Sequence, residues 1–161
     1  MQTTLILLDT GNLHYCIKRR YKGHRIDFKK IHDVWCKELV GEVDIVAYGA
    51  IPNKGAYTFR DALKHYGFVV KFKELKGGIK YYNPIVDIVL DAINHVDKVS
   101  TIIIGSSNQE FLPLINWLKA RSIRVGIWAS NIGYEIQKAA NFYREINREV
   151  LLGTVKTRES V

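Results

Sequence analysis

The stretch Leu5-Ile6-Leu7-Leu8-Asp9-Thr10-Gly11-Asn12 decides the fold. Four apolar residues in a row, stopped by a glycine turn, form the pattern of a strand buried on both faces. An aspartate follows at the point where that strand ends. In open α/β sheets, ligands bind in the crevice at the carboxyl ends of the strands. A carboxylate there is costly to strip of water unless a positive charge meets it, and a divalent cation, which takes oxygen ligands, is the natural candidate. Asp9 and Asn12 equally suit the turn and N-cap of a following helix, so position alone leaves both roles open.

Outward from this stretch the chain alternates strands and helices. Strands are expected over 3–8, 43–48, 68–72, 99–104 and 123–128, with a short closing strand over 149–152. Helices are expected over 11–18, 28–39, 59–66, 84–95, 111–118 and 134–146. Asp27 suits the N-cap of the second helix, whose Phe28, Ile31, Val34, Trp35 and Leu39 share one face. The alternation predicts an α/β fold: a three-layer α/β/α sandwich around a mainly parallel sheet of about five strands. Right-handed crossovers then bring all strand ends to one edge. Residues 1–153 read as a single domain and 154–161 as a polar C-terminal tail.

The bulk properties narrow the function. A length of 161 residues fits one domain with a continuous core and no need of disulfides. The formal charge of +8, from 24 basic and 16 acidic residues, favours polyanionic partners, RNA or DNA before an acidic membrane surface. Cys16 and Cys36 form neither metal spacing nor a disulfide framework, and small, partly buried thiols are expected. No signal peptide or bilayer-spanning run is evident, so the cytoplasm is the expected location and no membrane partner is expected. Neither G-x-G-x-x-G nor a Walker A run occurs, which argues against a dinucleotide site or a P-loop.

Three polar groups should project from the common edge. Asp9 with Asn12 is the first. Asp87 and Asp91, at i and i+4, lie on one face of the helix over 84–95, where like charges repel by roughly 0.2–0.5 kcal/mol unless a cation intervenes. Asp87 in the first turn also suits the helix dipole, and the pair reads equally as a solvated face. The third group is Ser106-Ser107-Asn108-Gln109-Glu110, in which Ser107 and Glu110 match a capping box. Any one residue here reads as a cap before a ligand; the joint arrival of three groups raises the functional reading.

These residues resemble a known family. Leu8-Asp9-Thr10-Gly11-Asn12-Leu13 is similar to the opening hhD-x-x-N of NYN domains, the PIN-like nuclease fold that includes the LabA-like proteins. Ile103-Ile104-Gly105-Ser106-Ser107-Asn108-Gln109-Glu110-Phe111-Leu112-Pro113-Leu114 resembles the family's S-G-D-x-D-F-x-P-L segment. Val86-Asp87-Ile88-Val89-Leu90, preceded by Lys76 and Gly77, resembles its V-D-V-x-L segment, and Ala139-Ala140-Asn141-Phe142 its late A-D-x-F. Order and spacing agree from about residue 3 to residue 146.

The resemblance implies a metal-dependent ribonuclease site in which acids hold Mg²⁺ or Mn²⁺. Carried over by position, Asp9 and Asp87 match as acids, and Asp91 substitutes for a further acid from the next helical turn. The family's aspartates in the third segment fall on Asn108 and Glu110, and the late one on Asn141. Two amides in place of carboxylates remove negative charge and weaken the hold on a hard dication. The implied metal ligands are Asp9, Asp87, Asp91 and Glu110, with Asn108 beside them in the catalytic set. Asn12, Ser106 and Ser107 would orient the water or a phosphate. Lys18, Arg19, Arg20, Arg25, Lys71, Lys73, Lys76 and Lys80 would hold the strand by its charges, and Tyr21, Tyr81 and Tyr82 would stack on unpaired bases, which points to single-stranded RNA. The basic run over 18–25 reads equally as a solvated connection. A catalytically inactive domain that binds RNA or a regulatory protein is the alternative, and the exposed strand ends and aromatics leave a homodimer open.

Overall fold

Strand β1, Thr3–Asp9, is buried from Thr4 through Asp9. In the computed structural model, which describes residues 1–153, it lies at the centre of the molecule. The chain continues as α1 (Thr10–Arg20), β2 (Arg25–Ile26), α2 (Phe28–Lys30), β3 (Glu42–Ile51), α3 (Ala56–His65) and β4 (Val69–Glu74). Its second half runs α4 (Ile85–His95), β5 (Thr101–Gly105), α5 (Leu112–Lys119), β6 (Arg124–Ala129), α6 (Tyr134–Ala139), β7 (Phe142–Glu145) and β8 (Leu151–Leu152). Six strands form one wholly parallel sheet in the order β4-β3-β1-β5-β6-β7. β2 and β8 pair antiparallel in a separate two-stranded ribbon.

The strand order reverses direction between β1 and β5. With right-handed crossovers, that reversal sends α1, α2 and α3 to one face and α4, α5 and α6 to the other. The rings of His14, Phe28 and Phe59 meet on the first face with centroids 5.3–5.5 Å apart. A crevice forms at such a reversal, at the carboxyl ends of the two strands. Gly105 makes the close approach possible, because a Cβ there would lie 2.3 Å from Leu8 Cδ2 and 3.0 Å from Leu8 Cα.

The structure corrects several expectations. The sheet has six strands rather than about five, because the last expected helix is two elements. α6 ends at Ala139 and β7 follows beside β6. Asn141 Oδ1 accepts the Val125 amide at 2.8 Å, and the Phe142 ring occupies the space that a side chain at Gly126 would need. Phe142, Arg144 and Ile146 then alternate inward in a strand's period of two.

The helix expected over 28–39 is broken. After α2 a wide π turn runs over Ile31–Trp35 and a 3-10 turn over Cys36–Glu38. The wide turn leaves Val34 exposed and seats Trp35 in the core, edge-on to Trp128 with centroids 5.1 Å apart. Lys18, Arg19 and Arg20 are not in a loop: they form the last turn of α1, where cations meet the negative end of the helix dipole. The closing strand expected over 149–152 is a 3-10 turn at Arg148–Val150 followed by the two residues of β8. Both cysteines are free and partly buried, as expected, and burial pushes the Cys36 thiol up to about 11. The tail expected over 154–161 lies outside the described residues.

Gly105→Ala tests the close approach at the reversal. Overpacking against the Leu8 backbone should lower unfolding stability by about 1–3 kcal/mol, read as a fall in the urea midpoint with an unchanged slope. An unchanged midpoint would show that the β1–β5 seam yields without strain.

Candidate active site

Asp9 ends β1 and caps α1. Its Oδ1 accepts the Asn12 amide at 3.1 Å, so the capping role left open by the sequence is filled. The carboxylate is nonetheless buried, and desolvation raises its pKa above the ordinary 3.8 despite the amides of Asn12 and Gly11. Capping therefore does not fully compensate the charge.

Register places Asp9 beside Tyr48 on β3, and Tyr48 beside Lys71 on β4. Neighbouring strands lie about 4.8 Å apart, so this row spans about 10 Å across the rim. The Tyr48 hydroxyl donates to Asp91 on α4, and the Lys71 ammonium meets the same Asp91 Oδ2 at 2.7 Å. Two residues along β4, and so on the same face, Lys73 pairs with Asp87 at 3.2 Å. The Tyr82 hydroxyl also donates to Asp87, while Lys73 lies 4.6 Å from the centre of the Tyr82 ring. Lys71, Lys73, Tyr82, Asp87 and Asp91 line an open cleft of about 400 Å³; Asp9 and Tyr48 are not on its wall.

The charges interact. Hydrogen bonding from Tyr82, then from Lys73, lowers the pKa of Asp87. Tyr82 is raised by burial and by its bond to Asp87, with Asp9 and Asp91 adding to the effect. The Tyr48 phenol is likewise driven up, by burial first and by Asp91 second, so it stays a proton donor at neutral pH.

The other expected residues divide into those near this cleft and those apart from it. Asn12 Oδ1 accepts the Ser107 amide at 3.0 Å and its hydroxyl at 3.3 Å, tying α1 to the end of β5. Ser106 is buried and its Oγ accepts the Asn108 amide at 3.1 Å. The expected capping box does not form. Asn108 is the cap, its Oδ1 accepting the Glu110 amide at 2.9 Å, because the turn that follows is 3-10 over Gln109–Phe111. Glu110 is exposed, and its carboxylate makes no hydrogen bond or ion pair among the described residues.

Lys76 is exposed and paired with Glu74 at 2.6 Å, and Lys80 is exposed in the loop before α4. α1 slants across the rim, since Cys16 Sγ lies 3.4 Å from Ser107 Oγ and Arg20 reaches Glu145 at the end of β7. Arg20 is thus three strands from Asp9, about 14 Å, and Arg19 rests on the Tyr15 ring. Asn141 bonds to the amino-terminal end of β6, at the opposite edge of the sheet from Asp9. An amide there takes no charge away from the cleft.

Tyr48 was not foreseen. Its only signal was a phenol at the end of an apolar strand, a group that needs a partner when buried. The donor set suits a hard dication, for Asp9, Asp87 and Asp91 offer oxygen only. Among the described residues, however, no three His, Cys, Asp or Glu side chains converge to hold a metal ion. Lys71 and Lys73 neutralise two of the acids instead.

The raised pKa of Asp9 gives a stability prediction. Above the folded-state pKa its charge is present and works against folding; that penalty fades as pH falls toward 3.8. Asp9→Asn keeps a good cap and should raise Tm at pH 7 in chelator, with the gain shrinking as the pH is lowered. Differential scanning fluorimetry across pH reads this, and a lower Tm in the variant at pH 7 would show that the protein stabilises the charge.

Comparison with known proteins agrees with this architecture. The chain is 29% identical over 157 residues to the Low amplitude and bright protein LabA of Synechococcus elongatus, covering 88% of this chain and 82% of the relative. A crystal structure of a protein of unknown function from Vibrio parahaemolyticus aligns with a TM-score of 0.80 at 22% identity, covering 94% of this chain and 96% of that one, a likeness of fold. Among the described residues no helix is long and apolar enough to cross a membrane. The model of the NYN domain matches residues 3–147. With nearly its whole length matched, the chain belongs to the NYN-domain family, a nuclease-like group.

Proposed function

We propose that the protein is a Mg²⁺- or Mn²⁺-dependent ribonuclease that hydrolyses phosphodiester bonds of single-stranded RNA at the cleft between β4 and α4, beside the end of β1. The observation that carries this reading is the placement of Asp87 and Asp91 on one cleft wall, at the rim where buried Asp9 closes β1 and Tyr48 beside it reaches Asp91. The three acidic side chains do not converge on one point as they stand, and with Lys71 and Lys73 displaced from Asp91 and Asp87 they would close on a cation. Bound there, it supplies an acidified water and polarises a phosphodiester oxygen.

The rest follows from the chain. Asn12 fixes Ser107 and so the shape of the rim beside Asp9. Lys71 and Lys73, freed from the acids, are placed to take the RNA backbone by its phosphates. Exposed Tyr81 offers a face for an unpaired base, which favours a single strand over a duplex. Glu110 stands on the rim without a fixed partner, able to serve as a further ligand or none.

A second reading has its own observation. Lys71 and Lys73 already neutralise Asp91 and Asp87, and the Asn108 oxygen is spent on a cap. Such a site suits a domain that binds RNA, or a regulatory protein, without cutting it.

Cleavage of an end-labelled single-stranded RNA with Mn²⁺ decides between them. The parent should cut and chelator should stop it, while Asp9→Asn and Asp87→Asn should each lose about 100-fold or more. Activity persisting in both variants would remove the cleft from the reaction. RNA left intact but bound, with affinity falling steeply with salt, would establish the second reading. Glu110→Gln completes the set: a loss equal to that of Asp9→Asn makes Glu110 a ligand, and unchanged cleavage excludes it.

A further inference from the structure

Across α1 from the rim lies a second, larger cavity of about 930 Å³. Asn12 and Cys16 present one flank of α1 to Ser107. His14 and Lys18 lie two positions further on, about 200° around a helix of 3.6 residues per turn, and line this cavity instead. The acidic cleft and this cavity therefore share no wall residue.

Its surfaces are of two kinds. One is aromatic: His14 and Phe59 meet at 5.3 Å between ring centroids with their planes 60° apart, each packed on Phe28, and Tyr66, just past α3, lines the same wall. Burial, with the Arg25 charge second, lowers the pKa of His14, so at neutral pH it contributes a neutral ring face. The other surface is cationic, formed by Lys18, Arg25 and Lys29. Lys29 is paired with Asp33 at 2.7 Å, but Lys18 and Arg25 have no ion-pair partner among the described residues. The one acid on the wall, Asp27, is committed to capping α2 through the Lys30 amide at 3.1 Å.

We infer that this cavity binds a nucleotide, with the base against the His14 and Phe59 rings and the phosphate between Lys18 and Arg25. Two rings tilted 60° to each other suit a flat π-face that stacks on one and meets the other edge-on. Two uncompensated cations at one rim call for a compact anion, which an arginine fork meets bidentately. The volume lies in the range of small-molecule sites. A free mononucleotide and an unpaired nucleotide of an RNA strand share this chemistry. The inference does not depend on the ribonuclease reading, because it invokes none of the acidic residues.

Binding of adenosine monophosphate, measured by calorimetry and by amide shifts in chelator, tests it without any cleavage readout. Adenosine monophosphate should shift the amides of His14, Arg25 and Ala62 and leave those of Lys73 and Asp87 in place. Lys18→Ala/Arg25→Gln alters only exposed side chains, and Phe59→Leu keeps an apolar wall without a ring; each should weaken binding at least tenfold. Ribose 5-phosphate and adenosine should each bind more weakly than the nucleotide. Equal response to adenosine monophosphate and a uridine tetranucleotide, or to the mononucleotide alone, assigns a free nucleotide; response to the tetranucleotide alone at these amides assigns an RNA strand. No shift with either probe, shifts confined to the acidic cleft, or ribose 5-phosphate binding as well as the nucleotide would overturn the proposal.

Discussion

A buried negative charge at the end of the central strand is the constraint around which this protein is arranged. Asp9 is taken out of water by the same packing that places β1 between β3 and β5. Two backbone amides offset part of the desolvation and leave the pKa raised. The neighbouring strands answer with a row of polar groups, Tyr48 and Lys71, and α4 answers with two more acids. Strand register sets this spacing, so the chemistry of the rim is a by-product of how the sheet pairs.

Charge balance distinguishes the cleft from a bare acidic pocket. Each helix-borne carboxylate has a lysine and a tyrosine as partners. A hard cation entering here competes with ammonium groups for the same oxygens, so occupancy of the acids and release of the lysines are coupled. Such coupling links cation uptake to the freeing of two positive charges at the place where a phosphate chain would lie. The lysine side chains are long and about half exposed, which lets them change partners without disturbing the sheet.

Much of this was legible in the sequence. The apolar run ending in Asp9 located the central strand, and the strand–helix alternation gave a parallel sheet with its ends on one edge. Periodicity at Asp87 and Asp91 placed both acids on one helix face. Other features were hidden because pattern is local and pairing is not. The run Tyr134–Ile146 carries helix spacing and strand alternation at once, and only the gap over Gly126, filled by Phe142, selects a sixth strand. Ser107 and Glu110 satisfy a capping rule on paper, yet Ser107 is claimed by Asn12, 95 residues away, leaving Asn108 to cap. The lysines of β4 were legible as positive charge but not as counter-ions, since their partners lie on a helix that follows a long loop. Membership of the NYN-domain family accounts for the order of these segments, whereas the individual pairings come from contacts distant in sequence.

Lys71 and Lys73 have a second consequence, which arises from where β4 sits. It is the outermost strand on its side of the sheet, with one row of backbone donors and acceptors open to any incoming extended chain. Charged lysines along such a border discourage strand addition from another molecule. The border also carries Val69, more than half exposed, so without those charges it would present an apolar, hydrogen-bond-hungry margin. The pair that balances the acids thus also disfavours the addition of a foreign strand at this border, so the guarding of the edge and the electrostatics of the cleft rest on the same two side chains.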